Sequence, residues 1–391
     1  MGQNHETDRK QKFKIFPFLA GKHVVSNPAF MKSRFLLFFL LVSFSAFSQK
    51  GKTENVFIIT LDGFRWQELF TGADSLLITN TTFVHDTTDL KKRFWAKTGE
   101  ERRKILMPFF WSTMATKGQL YGNRRFDNKV NCSNTMWFSY PGYNEILSGF
   151  PDDERINSNK KINNPNVTVL EFLNRLPQYQ GKVAAFGSWD VFPYIINEER
   201  SKVPVNAGFE KVSGPKLTDR EKFLNTLQDE IPGPWGGVRL DAFTHYFALE
   251  HLKKNQPRVL YIAYGETDDF AHDGKYDEYL KSARRTDQFI KDLWDWAQSQ
   301  DQYRGKTTFL VTTDHGRGTQ PLETWKSHGD KISGAGEIWL AVIGPDTPST
   351  GEQKNSAQLY QNQVAKTAAA LLGVDYKNDK KVGDKIAAVF K

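Results

Sequence analysis

Residues 56–62 read Val-Phe-Ile-Ile-Thr-Leu-Asp, and residues 308–315 read Thr-Phe-Leu-Val-Thr-Thr-Asp-His. Each is a near-continuous apolar run that ends in an acid. Such runs suit strands covered on both faces, as in a parallel sheet between layers of helices, and not the alternating pattern of a half-exposed strand. A third run, 259–264 (Val-Leu-Tyr-Ile-Ala-Tyr), is followed by Gly265-Glu266-Thr267-Asp268. Ligands of open α/β sheets bind outside the carboxyl ends of the strands. Three such strands would therefore deliver Asp62, Asp268, Asp314 and His315 to one edge.

Working outward, further strands are expected at 183–186 and 338–343, with helices near 168–176, 219–230, 240–254, 276–298 and 357–371. This alternation predicts an α/β sandwich with a mostly parallel central sheet covered by helices on both faces. Residues 71–135 mix Trp, Phe and charged residues without clear period and are expected to form a cap insertion. Residues 188–240 are a second candidate insertion. Asp287, Asp292 and Asp295 are expected on the solvated face of the 276–298 helix.

The beginning of the chain reads as an export signal. Met31-Lys32-Ser33-Arg34 is a short basic start, 35–44 (FLLFFLLVSF) is uninterrupted apolar, and Ala46-Phe47-Ser48 supplies small residues for cleavage. These are the three regions of a secretory signal peptide, with an apolar run short for a membrane span. Residues 1–30 precede it and share none of its parts, so translation is expected to start at Met31. Cleavage after Ser48 leaves 49–391 as one catalytic domain with no stable membrane span, in the periplasm or outside the cell. The whole chain carries 53 Lys+Arg and 45 Asp+Glu. Seven and two of these fall in residues 1–48, so the remainder has a net charge of only +3. That gives no electrostatic case for a nucleic-acid partner. Cys132 is the single cysteine and cannot pair within the chain.

Asp268 and His272 are four residues apart, so a helical turn puts both on one face. His328 lies in a loop after Asp314-His315. Half of the six histidines beyond residue 48 thus belong to these motifs. Three Asp and three His suffice for two divalent ions with three protein ligands each, and mixed carboxylate–imidazole sets suit zinc. A metal pair can clamp the attacking and leaving oxygens of an in-line displacement. Residues 138–149 (FSYPGYNEILSG) supply a nucleophile. Pro141 fits a first helical turn and Gly149 a helix end, which places Ser139 at a helix N-terminus, where phosphoryl groups are favoured. Trp66, Trp189 and Trp325 lie near the motifs and are candidate pocket residues or core aromatics. Arg65 and Arg317 are candidates for phosphate contact or for ion pairing.

Together, LDGFRW with Asp62, Ser-Tyr-Pro at 139–141, D-x-x-x-H at 268–272, DHG at 314–316 and His328 resemble the alkaline phosphatase superfamily. They are most similar to its type I phosphodiesterase/nucleotide pyrophosphatase branch. The resemblance implies Asp268, His272 and His328 on one zinc, and Asp62, Asp314 and His315 on the other. Ser139 would bridge metal and phosphorus and form a phosphoseryl intermediate on a small-molecule phosphoester or phosphodiester. Two positions depart from that branch: Gly142-Tyr143 stands where it commonly has Asn-His, and Ala271 where it usually has Gly. A sulfatase shares the fold, but needs a C/S-x-P-x-R frame, and Tyr143 stands where the Arg would be. A non-catalytic surface binding protein is the alternative from another class. Protein recovered from its native host is expected to begin at or near Gln49; N-terminal sequencing that finds an intact leader on a cytosolic protein overturns this.

Overall fold

The first strand of the computed structural model, β1 (Asn55–Leu61), is buried along its whole length. Its side chains alternate between two cores. Phe57, Ile59 and Leu61 enter one, while Val56 and Ile58 enter the other. The same division holds in the strand β6 (Val259–Tyr264), where Leu260, Ile262 and Tyr264 face one way and Val259, Tyr261 and Ala263 the other. Period-two geometry thus turns an all-apolar run into a wall between two apolar layers. The structure describes residues 51–391. The expected leader, signal segment and cleavage point lie outside them.

The remaining strands are β2 (Gln119–Tyr121), β3 (Asn128–Asn131), β4 (Val183–Gly187), β5 (Val205–Ala207), β7 (Thr307–Thr312), β8 (Glu337–Ile338), β9 (Leu340–Ile343), β10 (Gly351–Glu352) and β11 (Ala357–Tyr360). Eight of the strands form the main sheet in the order β10-β2-β9-β7-β1-β6-β4-β5. β5, β4, β6, β1 and β7 are mutually parallel, and β9 runs against both β7 and β2. A small second sheet has the order β11-β3-β8. The helices of six or more residues are α1 (Trp66–Thr71), α2 (Thr87–Phe94), α3 (Gly99–Leu106), α4 (Ser139–Ser148), α5 (Val169–Asn174), α6 (Asp219–Glu230), α7 (Asp241–Asn255), α8 (Glu266–His272), α9 (Tyr276–Ser299) and α10 (Val364–Leu371). One core contains residues of α7 and α9, and the other residues of α4, α5 and α10.

Four expectations change in detail. The run 338–343 is two strands in different sheets, interrupted at the buried Trp339, whose indole donates to the Phe64 carbonyl at 2.8 Å. Residues 357–371 are not one helix, because 357–360 pair in parallel with β3 before α10 begins. Residues 71–135 are more than a cover: Leu77, Ile78, Leu106, Phe110 and Met114 are buried in the main core, and 119–121 enter the sheet as β2. Likewise β5, within 188–240, pairs with β4. Among the described residues no helix is long and apolar enough to cross a membrane.

Asp287 is also not on the solvated face of α9. It is 1% exposed and accepts the Phe109 and Phe110 N–H groups at 2.8 and 3.0 Å, anchoring the 110–114 turn to the helix. Asp295 is exposed as expected and pairs with Lys291. Asp287→Ala leaves two buried donors without partners, so a loss of about 2–4 kcal/mol is expected in denaturant unfolding. An unchanged midpoint would show that these bonds contribute nothing net.

Candidate active site

The strands β7, β1 and β6 are neighbours, and their carboxyl ends bring the acids of three separate motifs together. Asp62 follows β1 directly, Asp314 and His315 follow β7 after Thr313, and Asp268 lies on α8 just beyond β6. The Thr267 hydroxyl donates to the Asp62 carbonyl at 2.6 Å, tying the β1 and β6 exits. Gly63 has φ +57°, and a Cβ there would lie 2.7 Å from Asp268 Oδ1 and 2.8 Å from Arg317 Nε. Only glycine fits this turn without pushing on the acid–guanidinium pair behind it.

Asp62, Asp314 and His315 form one potential ligand group. In each carboxylate one oxygen is held by the protein and the other has no partner. Asp62 Oδ2 accepts the Tyr143 hydroxyl at 2.8 Å, and Asp314 Oδ1 accepts the Gly63 N–H at 3.1 Å. The unpartnered Asp62 Oδ1 and Asp314 Oδ2 lie 3.3 and 3.4 Å from His315 Nε2, which also lacks a partner. His315 Nδ1 is 2.9 Å from the Gly316 carbonyl. Donation there places the ring proton on Nδ1 and leaves Nε2 as a lone pair.

A second group comprises Asp268, His315 and His328. His272 adjoins it, with Nε2 at 3.2 Å from Asp268 Oδ2 and 2.9 Å from His328 Nε2. Two imidazole nitrogens facing each other beside a carboxylate are an arrangement that a shared cation satisfies. The second set expected from sequence is therefore adjacent in space, with His315 lying against both groups. Buried, partnerless carboxylate and imidazole atoms of this kind cost free energy when left alone, and the donor set fits divalent cations.

The electrostatics point the same way. Burial and the charge of Asp268 raise the Asp62 carboxyl well above its ordinary range. Burial and Asp62 do the same to Asp314. Burial also acts upward on Asp268, but the Arg317 guanidinium and the His272 hydrogen bond outweigh it and hold that carboxyl well below the usual range. His328 is pushed down to about 2 by burial and by His315, so its ring is neutral and able to ligate. Burial, then the charges of Asp268, Asp62 and Asp241, push Asp269 up to about 9. Cations held by those acids would offset their charges and relieve that push.

Ser139 is the first helical residue of α4, preceded by Phe138 in extended conformation, and Gly149 closes the helix with φ +81°. Gly142 lets α4 approach β7: a Cβ there would lie 2.4 Å from the Asp314 carbonyl oxygen. The Gly142-Tyr143 departure from the phosphodiesterase pattern is thus used here, Gly142 for contact and Tyr143 to hold Asp62. Ser139 lines a cleft of about 230 Å³ with Asp62, Asp268, His272 and His328.

Other candidates divide. Trp189 lines the cleft. Trp325 does not; it is fully buried against Phe83, Tyr276 and Tyr279. Trp66 donates to Glu337 at 2.9 Å. Arg65 is buried in an ion pair with Glu68. Arg317 is buried too, paired with Asp268 and donating to the Lys326 carbonyl at 2.6 Å, so it fastens the His328 loop to α8. Neither arginine is free for a phosphate. Sequence reasoning missed Asn159, which also lines the cleft and accepts the Tyr140 N–H through Oδ1 at 3.0 Å. Its segment, Asn157-Ser158-Asn159-Lys160, has no period or motif to single it out.

The profile described as Sulfatase matches residues 54–374, most of the chain and every residue of the site. The chain belongs to the Sulfatase family. Among curated protein sequences, none matches significantly. Solved structures with the same fold include a wild-type alkaline phosphatase, PafA, at 11% identity and TM-score 0.60, covering 88% of this chain and 99% of that one. The lipoteichoic acid synthase LtaP from Listeria monocytogenes aligns at 14% identity and TM-score 0.52, covering 86% and 74%. BT1596, a 2-O GAG sulfatase, aligns at 12% identity and TM-score 0.52, with the same coverages. This Sulfatase-family chain therefore has the alkaline phosphatase superfamily fold and is a hydrolase of that superfamily. Purified protein is expected to hold about two divalent ions per chain. His328→Ala should keep about one, which elemental analysis and metal-dependent melting would read; full occupancy in that variant removes His328 from the ligands.

Proposed function

We propose that the chain hydrolyses phosphoric esters or phosphodiesters through a phosphoseryl intermediate on Ser139, in the manner of the phosphodiesterase/nucleotide pyrophosphatase branch. The observation that carries this reading is the pair of unpartnered carboxylate oxygens on Asp62 and Asp314 facing His315 Nε2, in a site that shares its cleft with Ser139. Asp62, Asp314 and His315 would hold one divalent ion and Asp268, His272 and His328 the other, zinc by donor type. When bound, the ions supply the positive charge that favours the alkoxide of Ser139 and offsets charge on the leaving oxygen.

Ser139 Oγ attacks phosphorus as the ester oxygen departs in line, and water then cleaves the phosphoserine from the vacated side. The N-terminus of α4 orients backbone donors toward the phosphoryl group. Asn159, whose Oδ1 is engaged by Tyr140, offers its amide nitrogen to a non-bridging oxygen. The substrate is a small molecule, met in the periplasm or outside the cell after export.

Sulfuric ester hydrolysis is the second reading, favoured by the family match. Against it stands Tyr143, which occupies the Arg position of the formylglycine frame and is committed to Asp62. Ser139→Ala is expected to fold and bind metal while losing at least about a thousandfold in turnover. Ser139→Thr should keep part of it. Acid quenching during turnover of a labelled phosphoester should leave label on the Ser139 peptide. Near-normal turnover in Ser139→Ala, or turnover of aryl sulfate alone, overturns the proposal.

A further inference from the structure

We infer that Asp241 is a positioning residue for the second ion: it caps helix α8 from a neighbouring helix and thereby sets Asp268 and His272 as a ligand pair. This rests on the ligand assignment proposed above and is independent of which ester is cleaved.

Both ligands lie on α8 (Glu266–His272), Asp268 in its first turn and His272 as its last residue. A helix this short does not hold itself in water. Its first N–H groups need acceptors, and its N-cap, Gly265, has no side chain to offer one. The acceptor comes from α7. Asp241, the first residue of that helix, takes the Gly265 N–H on Oδ1 at 2.7 Å and the Glu266 N–H on Oδ2 at 3.2 Å. The bond is returned: the Asp241 N–H donates to Glu266 Oε1 at 2.9 Å, at a helix start whose own N-cap, Leu240, supplies no side-chain bond. Two helix starts thus cap each other.

The surroundings close this pair in. Asp241 is 2% exposed and Glu266 3%. Ser188, next after β4, donates to Asp241 Oδ1 at 2.6 Å and lies 2.8 Å from the Thr244 hydroxyl of α7. Arg285 of α9 donates to Glu266 Oε2 at 2.6 Å. Every carboxylate oxygen of the pair therefore has a partner, in contrast to the free oxygens of Asp62 and Asp314. A buried polar network satisfied in this way fixes one arrangement of the elements it joins.

Asp241 does not line the cleft, so it reaches the site through the backbone of residues 265–266. Beyond that start, α8 is tied by the Thr267 hydroxyl to Asp62 and by Asp268 to Arg317. Released at its start, the helix can pivot on those two bonds, and His272 at the far end is carried away from His328. The first ion's ligands stand on other elements, Asp62 after β1 and Asp314-His315 after β7. The loss of this cap therefore falls on one ion and not on both.

Asp241→Asn tests this, because an amide supplies one accepting oxygen and turns N–H donors toward the remaining backbone N–H. The metal-loaded full chain is dialysed against a series of zinc buffers, and its zinc content is measured at each. Wild type is expected to lose zinc in two steps, and His328→Ala identifies the step of the second ion. In Asp241→Asn that step should move to at least about tenfold higher free zinc, while the other stays in place. A merely structural role would lower the melting temperature without moving one step against the other. Arg285→Gln, at an exposed residue, removes the partner of Glu266 Oε2 and should move the same step by less; it decides the matter if Asp241→Asn does not fold. Unmoved steps, or both steps moved equally, overturn the inference. A single step in wild type overturns the two-ion assignment and this inference together. A shifted second step in an enzyme inert toward phosphoesters supports the inference and counts against the phosphoesterase reading.

Discussion

Three carboxylates and three imidazoles meet at the edge of one buried sheet, and the rest of the molecule is organised around that concentration of like charge. Asp314 and His315 are fully buried, and Asp62 is 5% exposed. Burial penalises the ionised forms of Asp62 and Asp314, Asp268 raises both, and Asp62 raises Asp314. A chain that places acids this way either leaves some protonated or supplies cations. Arg317 supplies one cation to Asp268 alone. Asp62 and Asp314 have no such partner, and their free oxygens face an imidazole whose other nitrogen is engaged by a backbone carbonyl. The unsatisfied groups lie together, which is what distinguishes a ligand set from scattered packing defects.

Holding that arrangement requires a stiff mount. Three adjacent strands in parallel register lead into Asp62, Asp268, Asp314 and His315, and their side chains lock into separate cores above and below. Close packing makes such a wall slow to deform. Finer positioning falls to small contacts. Gly63 admits the Asp268–Arg317 pair, Gly142 admits the Asp314 carbonyl, and the Tyr143 hydroxyl fixes which Asp62 oxygen stays free. Each is a short-range constraint on one oxygen or one backbone turn, and together they restrict where a bound cation's charge would be applied.

Much of this was legible in the residues. The long apolar runs identified the central strands because burial on both faces leaves a compositional trace over five or six positions. The acids at their ends, and the i, i+4 spacing of Asp268 and His272, pointed to residues that the fold brings together. Two- and three-residue strands such as β2, β5 and β10 left no such trace; their place depends on pairing with distant segments, and a short run of Gln-Leu-Tyr has no period to read. The same reason hid the split at Trp339. Asp287 misled because its spacing on α9 matches the polar stripe, while its burial is decided by the backbone of residues 109–110 arriving from elsewhere. Asn159 and Asp269 were illegible as cleft residues because nothing local distinguishes them from loop and helix-surface polar groups.

Family membership and fold leave the substrate open, since phosphatases and sulfatases share this architecture. What separates them physically is the nucleophile's surroundings. At residue 143 a guanidinium would bring a positive charge and several donors to the turn that follows Ser139. A tyrosine brings one donor and no charge, and here that donor is already given to Asp62. The turn is therefore tied to a metal-ligand candidate. Ser139 stands at the start of a helix and shares its cleft with candidate metal ligands. Direct attack by its hydroxyl is the chemistry proposed above for this cleft.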